Sequence, residues 1–364
     1  MPLIFFVRPA TRNLGNDVIG SATMQLLRSA FGPDLSVVSI PALKTNGLGG
    51  LTAKQVYDIN RLADGLVIGG GNLLENGQID IEPGALDALA VPLMMMGISY
   101  GRIRGRWGAL IPRSDSLGDE ATHRLAGKAG VVLVRDAPTL EHLRSLGIQH
   151  AALAGCPTLF LDATPPSSPQ TDRILMSIRH PARMNIPPAM QWRIASDVRQ
   201  IVDGLRDRLG TPVTLVSHDY ADLEFAAGFP DVPHVYHDDV NRFLDELRRC
   251  RLSVTYRLHA FLPCLVFGTP SIHISYDERG SGMLATVGMS QWDVDMTSDP
   301  DPAGTVLRRC QEVARFEQLR SVSRIACDTL RQVARDGVHR FANLVAAHKS
   351  HEQSPAPAPL IERP

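Results

Sequence analysis

Short runs rich in Val, Ile and Leu recur along the chain, and most are followed by a stretch whose apolar residues repeat with the period of a helix. Continuous apolar runs suit strands buried on both faces, which is how strands of a parallel sheet read when helices form the crossovers. In the first half the pattern predicts strands at Leu3 to Val7, Leu35 to Ile40, Gly65 to Ile68, Leu93 to Met96 and Val131 to Val134. Helices are predicted near Val18 to Ala30, Asp119 to Lys128 and Pro138 to Leu146, the last with Gly147 as its C-cap.

The alternation restarts after Thr164, Pro165, Pro166, Ser167, Ser168 and Pro169, whose composition is that of an exposed linker. Strands follow at Ile174 to Ile178, Val213 to Val216, Leu252 to Thr255 and Ser271 to Ile274, with helices near Met190 to Leu209 and Val240 to Cys250. The expectation is an α/β protein of two domains, residues 1–163 and 172–303, each built on a largely parallel sheet. Residues 304–348 are Arg-rich and helical in period without a strand signal, so they should pack outside the sheets, in a position to cross back to the first domain. Residues 349–364, with four prolines, are expected to be disordered. No repeat at a solenoid period is found, although the two halves share an architecture.

Composition sharpens this picture by exclusion. Of the 364 residues 44% are hydrophobic and 21% charged, enough apolar surface for two cores. Lys and Arg number 37 against 38 Asp and Glu, so the chain carries no electrostatic footprint for nucleic acid or an anionic membrane, and any anion site must be local. The five cysteines are odd in number and form no C-x-x-C pair, which argues against a disulfide framework or a zinc knuckle and fits a reducing cytoplasm. Met1 to Val7 is too brief for a signal peptide, and the longest apolar stretch, Ala88 to Ile98, falls short of the roughly 20 residues a membrane span needs.

Parallel sheets bind ligands beyond the carboxyl ends of their strands, so polar residues at those ends are the candidates for chemistry. After the first strand come Asn13, Asn16 and Asp17, which suit either acceptor binding or, for Asn16 or Asp17, capping of the next helix, with Arg8 and Arg12 nearby. Gly69, Gly70 and Gly71, then Asn72 and Glu75, follow the third strand, where backbone amides can approach an anion or a tight turn can need positive φ. The G-x-G-x-x-G spacing of a dinucleotide site is absent.

In the second half Arg179 and His180 end one strand, and His218 and Asp219, with Asp222 one turn on, end another; Asp219 also suits an N-cap. Arg257 and His259 stand where a buried strand turns into an apolar helix, and two such polar groups are costly to bury without partners. Tyr276 to Gly282 reads as a polar, flexible loop from which Arg279 could reach a phosphate. Asp293-Val294-Asp295 has the D-x-D form of metal-dependent glycosyltransferases, but so short a match is frequent by chance, and no nucleophile elbow, Walker loop or zinc-ligand spacing is present.

Taken in order, Asn13 to Asp17, Gly69 to Gly71, Gly97-Ile98-Ser99, Val134-Arg135-Asp136 with Leu143 and Leu146-Gly147, Ser177-Ile178-Arg179, Arg257-Leu258-His259, and Pro270 through Tyr276-Asp277 resemble the polysaccharide pyruvyl transferase family. The resemblance runs from Leu3 to about Met289 and departs from the family's usual residues at Asn16-Asp17, at Glu75 and Asn76, and at Arg279, where Lys is commoner. It implies two Rossmann-like domains facing a central cleft, a glycosyltransferase B-type arrangement, with a helical C-terminal segment. It further implies phosphoenolpyruvate as co-substrate and a sugar or glycan acceptor, free or lipid-linked; no cofactor and no metal are expected. The resemblance carries the donor role to Arg257, His259 and Arg179; with Arg279 and His218, read from their own positions, Arg179 and Arg257 are expected to form the donor side, and Arg257 and His259 to be catalytic, with His259 as general acid. Asn13, Asn16, Asp17, Gly70, Gly71, Asn72 and Glu75 form the acceptor side. Two other readings share the architecture: a nucleotide-sugar-dependent glycosyltransferase, and a non-catalytic glycan-assembly protein with a degenerate site.

Overall fold

The computed structural model describes residues 1–105, 109–164 and 169–352. The linker residues Pro165 to Ser168 and residues 353–364 of the expected tail lie outside the described residues.

The first sheet is formed by β1 (Leu3–Arg8), β2 (Ser36–Pro41), β3 (Gly65–Gly71), β4 (Leu93–Ile98), β7 (Val131–Val134) and β8 (Ala151–Leu153). A small antiparallel hairpin, β5 (Ile103–Arg104) and β6 (Leu110–Ile111), projects from it and has no counterpart in the apolar pattern. The strand order is β2-β1-β3-β4-β7-β8, parallel throughout. Helices α1 (Leu14–Phe31), α2 (Ala53–Leu62), α3 (Pro83–Asp87), α4 (Asp119–Lys128) and α5 (Ala137–Ser145) make the crossovers.

The second sheet contains β9 (Thr171–Ser177), β10 (Val213–Ser217), β11 (His234–Tyr236), β12 (Cys250–Thr255), β13 (Ser271–Ser275) and β14 (Val294–Asp295). Its order is β11-β10-β9-β12-β13-β14, again parallel. Around it lie α6 (Pro188–Gln191), α7 (Ile194–Leu209), α8 (Tyr220–Ala226), α9 (Val240–Arg249), α10 (Leu258–Phe267), α11 (Glu278–Thr286) and α12 (Pro302–Arg309). Each sheet reverses its winding once, between β1 and β3 in the first and between β9 and β12 in the second, and such switch points open ligand crevices.

Helix α1 joins the two halves. Its Leu14, Val18, Ile19 and Ala22 are buried in the same apolar cluster as the second domain's Met176, Val216 and Leu262. Asn13 caps this helix by accepting from the Gly15 amide at 3.0 Å, a role the sequence had offered to Asn16 or Asp17. The final helix α13 (Val313–Glu352) runs past the expected end at His348. Its Phe316, Cys327 and Leu330 belong to the second domain's core, while Ala334, Val338, Phe341 and Val345 pack on Ile4, Phe6, Val67 and Leu133 of the first sheet. Among the described residues no helix is long and apolar enough to cross a membrane.

The segment after Tyr276 is helical where a loop was expected. Asp277 accepts from the Gly280 amide and caps α11, and the glycines serve close packing: a Cβ on Gly280 would stand 2.8 Å from His273 Cε1, and one on Gly282 2.9 Å from Pro138. A glycine selected for close approach leaves the same trace in sequence as one selected for freedom.

Candidate active site

The two switch points face each other across a cleft of 640 Å³, walled by the ends of β1, β3 and β7 on one side and of β9, β10, β12 and β13 on the other. Residue by residue, the walls explain which side chains are available for chemistry.

Arg257 occupies the turn between β12 and α10, where its amide donates to Thr255 Oγ1 at 2.7 Å. Only 6% exposed, it donates from Nε to the carbonyl of Ile178 at 3.2 Å and from Nη2 to Asp219 at 3.1 Å and to Asp222. Burial works against the cation, but Asp222 and Asp219 more than offset it and hold the pKa above its ordinary value. Asp222, fully buried, also accepts from the amides of His180 at 2.9 Å and His218 at 3.0 Å. One carboxylate thus ties together the ends of β9, β10 and β12. Asp219 has its expected place as the α8 N-cap.

Arg179 donates from Nε and Nη2 to the carbonyl of Arg183, at 3.0 and 2.7 Å, and lies over the Tyr276 ring at 5.8 Å. Among the described residues it has no ion-pair partner, and burial, with repulsion from Arg257 and Arg279, lowers its pKa. It remains a cation, because a guanidinium does not lose its proton in this range. Arg279 differs: Nε and Nη2 are engaged by Asp277 and Nη1 by Glu75 at 2.9 Å, so the fork expected to meet phosphate is held between carboxylates of the two domains. Burial disfavours the charge, yet Asp277 and Glu75 keep Arg279 firmly protonated.

His259 is the second residue of α10, packed against the N-terminus of α1; a Cβ on Gly15 would lie 3.2 Å from its Nδ1. Its Nε2 is buried and, among the described residues, has no hydrogen-bond partner. Burial, reinforced by Arg135, Arg257, Arg279 and His273, pushes its pKa down to about 3, so the imidazole is neutral near pH 7 in the ligand-free cleft. A neutral imidazole is placed to accept a proton, and donation as expected from the sequence requires prior protonation, which a bound anion would favour. His218 is buried against Phe243 with Nε2 on Ser177 Oγ at 3.1 Å, and burial and the nearby arginines hold it neutral too.

On the opposite wall Asn13, Asn16, Gly71 and Asn72 line the cleft. Asp17, Gly70 and Glu75 do not. Asp17 pairs with Arg8 at 3.3 Å on a separate cavity, and Gly70, at φ 90°, turns its backbone so that a Cβ would meet Ile19 at 2.7 Å. Glu75 is wholly buried behind the wall as the partner of Arg279, its pKa raised by burial against the pull of Arg279 and Arg135.

The cleft is also lined by Asn76, Gln78, Asp115, His273 and, most consequentially, Arg135, none of which the strand ends had marked as a site residue. Arg135 ends β7, the same positional signal that picked out Arg179. It is 2% exposed, pairs through Nε with Asp136 at 3.0 Å, and leaves Nη2 buried on the cleft wall without a partner among the described residues. Among the described residues no group of His, Cys, Asp and Glu is placed to hold a metal ion; Asp293 is bonded to His273 and Ser275, and Asp295 to Arg104 and Thr297.

Two parallel sheets facing a cleft, with a C-terminal helix spanning both, define the architecture of the GT-B glycosyltransferases and related epimerases. The solved structures of similar shape include MnaA of S. aureus with UDP (TM-score 0.58, 13% identity, covering 98% of this chain and 99% of that one). The UDP-GlcNAc 2-epimerase of Methanocaldococcus jannaschii with UDP-GlcNAc and UDP gives TM-score 0.55 at 9% identity, covering 95% and 100%. The α,α-trehalose 6-phosphate synthase of Burkholderia multivorans gives 0.51 at 9%, covering 98% and 99%. These likenesses establish the fold. Residues 13–278 match the family model of polysaccharide pyruvyl transferase, and the chain belongs to that family, which makes it a transferase of polysaccharide biosynthesis. No curated protein sequence matches it.

Proposed function

We propose that the protein transfers the pyruvyl group of phosphoenolpyruvate to hydroxyls of a sugar acceptor, forming a ketal. The observation that carries this reading is the concentration of incompletely paired cationic nitrogen on one cleft: Arg135 Nη2 buried without a partner, and Arg179 without a carboxylate, beside a buried, unpartnered His259 Nε2. Such groups are costly to bury and are stabilised by an anionic ligand, and phosphoenolpyruvate brings both a carboxylate and a phosphate. Arg257, whose charge Asp219 and Asp222 offset, lines the same wall, while Arg279 acts as the pin that holds Glu75 and Asp277 in place.

The reaction needs protonation of the donor's methylene carbon, attack of one hydroxyl at the adjacent carbon, loss of phosphate and attack of a second hydroxyl. His259, neutral at rest, accepts a hydroxyl proton, and the arginines stabilise the departing phosphate. Asn13, Asn16, Gly71 and Asn72 line the acceptor side. The reading requires no further cofactor.

The test is incubation of the protein with phosphoenolpyruvate and a panel of sugar acceptors, scored by phosphate release and by mass spectrometry for a pyruvyl adduct. Tight binding of uridine diphosphate, with neither phosphoenolpyruvate binding nor any adduct, would overturn the reading in favour of a nucleotide-sugar enzyme.

A further inference from the structure

The cleft contains a third imidazole beside His259 and His218, carried within a strand and not at its end. His273 lies inside β13, between Ile272 and Ile274, which are fully buried in the second domain's core. The alternation of a strand sends His273 to the other face, where it lines the cleft. It is 1% exposed, and an aliphatic residue would be the less costly occupant of such a site unless the ring has polar work to do.

Its surroundings orient the ring. Nδ1 lies 3.0 Å from Asp293 Oδ1, and the other oxygen of Asp293 accepts from Ser275 Oγ at 2.5 Å. A carboxylate only accepts, so the proton of this bond resides on Nδ1. The edge of Phe261 packs on the ring, with centroids 5.6 Å apart, and Gly280 lets α11 approach its Cε1. Nε2 is then the nitrogen left for the cleft, which His273 lines. This is the arrangement in which a buried carboxylate fixes the tautomer of an imidazole and stabilises the imidazolium. His259, surrounded by arginines, has no such countercharge.

We propose that His273, oriented by Asp293, delivers the proton to the methylene carbon of phosphoenolpyruvate, while His259 takes the proton of the attacking hydroxyl. The proposal rests on the pyruvyl-transfer reading. In the first step the Nε2–H bond of the His273 imidazolium breaks, and the carbon–carbon π pair forms the new C–H bond, leaving an electron-deficient carbon bonded to the phosphate oxygen. The first hydroxyl oxygen bonds to that carbon and its proton passes to His259 Nε2. The bond between this carbon and the phosphate oxygen then breaks with its electron pair on the phosphate, which takes the proton from His259. The second hydroxyl oxygen closes the ketal, and its proton restores His273. Of the two hydroxyl protons, one therefore replaces that delivered to carbon and the other leaves on phosphate, so the cycle closes without any other acid or base.

The experiment compares the wild-type protein with His273→Gln and Asp293→Asn, in deuterium oxide, using phosphoenolpyruvate and an acceptor that the wild type pyruvylates. The wild type should place one deuterium in the methyl group of the product. For His273→Gln the expected result is a dissociation constant for phosphoenolpyruvate within about threefold of wild type and a kcat lower by on the order of 100-fold or more. Asp293→Asn should retain binding and lose on the order of tenfold to 100-fold in kcat, because the tautomer is no longer fixed. A purely structural role would lower the melting temperature and leave kcat of the folded fraction unchanged; that result overturns the proposal, as does wild-type kcat in His273→Gln. If His273→Gln does not fold, the same split in Asp293→Asn decides. Failure of the wild type with every acceptor would instead overturn the pyruvyl-transfer reading itself.

Discussion

At the scale of single residues, the cleft is governed by which charges are already neutralised. Arg257 and Asp222 show the principle: the pair is buried, and Asp222 in addition receives two backbone amides. Removing one partner of a buried pair leaves an unpaired charge, at about 3–5 kcal/mol. Asp222→Ala is accordingly expected to lower unfolding free energy by about that amount in urea titrations, and to weaken phosphoenolpyruvate binding because three strand ends lose their tie. Arg135 combines both cases: among the described residues its Nη2 has no partner, while its Nε pairs with the buried Asp136. Its charged hydrogen bond to ligand should contribute about 1.5–3 kcal/mol, so Arg135→Ala is expected to weaken phosphoenolpyruvate binding tenfold to 100-fold by calorimetry, and to lower the melting temperature as well, because Asp136 is left buried without its cation. Wild-type affinity in that variant would remove Arg135 from the donor site.

The neutral imidazoles give a pH signature. His259 has a folded pKa of about 3 and His218 one well below the ordinary value, both chiefly from burial, whereas an unfolded histidine titrates near about 6.5. A depressed folded pKa means that their contribution to stability is fully present above the unfolded value and is lost as pH falls from there toward the folded value. The urea midpoint should therefore drop on acidification below about 6.5, and less steeply in His259→Gln. Strand-end position made Arg257, His259 and Arg179 legible as cleft residues. It could not show that Arg279 is engaged by Glu75, because partners so far apart in sequence meet only through the packing of two domains.

At the scale of elements, helix-strand alternation was legible wherever a run was long and apolar, and illegible where it was short or polar. Strands β8 and β11 have three residues each, and α8 has seven, too few for a period to emerge. The α11 helix was hidden because Gly280 and Gly282 argue for a loop locally, whereas the proximity of His273 and Pro138 that requires them is tertiary. Helix α1 carries the same lesson into the site. A Cβ at Gly15 would stand 3.2 Å from His259 Nδ1, 3.3 Å from its Cβ and 3.2 Å from the capping Asn13 Oδ1, so the imidazole and the cap must each yield by a few tenths of an ångström to admit it. Alanine favours a helix over glycine by roughly 1 kcal/mol, which works against any loss from crowding. Gly15→Ala is therefore expected to keep its melting temperature while losing turnover, a combination read by calorimetry alongside phosphate release. A fall in both together would mean that the crowding is relieved by moving α1 and not the ring.

At the scale of the molecule, the cleft exists because two separately wound sheets are held in register. Arg102 grips Glu278 through its amide at 2.9 Å and Nε at 3.0 Å, Arg104 meets Asp295 at 3.0 Å, and the Ala137 amide donates to Thr286 at 3.1 Å. These polar links set orientation, but their partly exposed members contribute little to stability individually. The larger apolar tie is α13. Ala334, Val338, Phe341 and Val345 recur on one stripe and cover a face of the first sheet, whereas Phe316, Cys327 and Leu330 are rooted in the second core. Phe341 is fully buried, also meeting the edge of Phe31 at 5.9 Å, and its truncation should remove about 3–5 kcal/mol. The consequence is asymmetric. Phe341→Ala is expected to reduce hydrogen-exchange protection in β1, β3 and β7, which lie beneath the stripe, while β9, β10 and β12 keep theirs. It should also divide a single calorimetric transition into two, since the first domain loses stability that α13 had lent it from the second. Equal loss of protection in both sheets would show instead that the cleft walls unfold as one unit, with the polar links across the cleft and the bridging face of α1 as the dominant coupling.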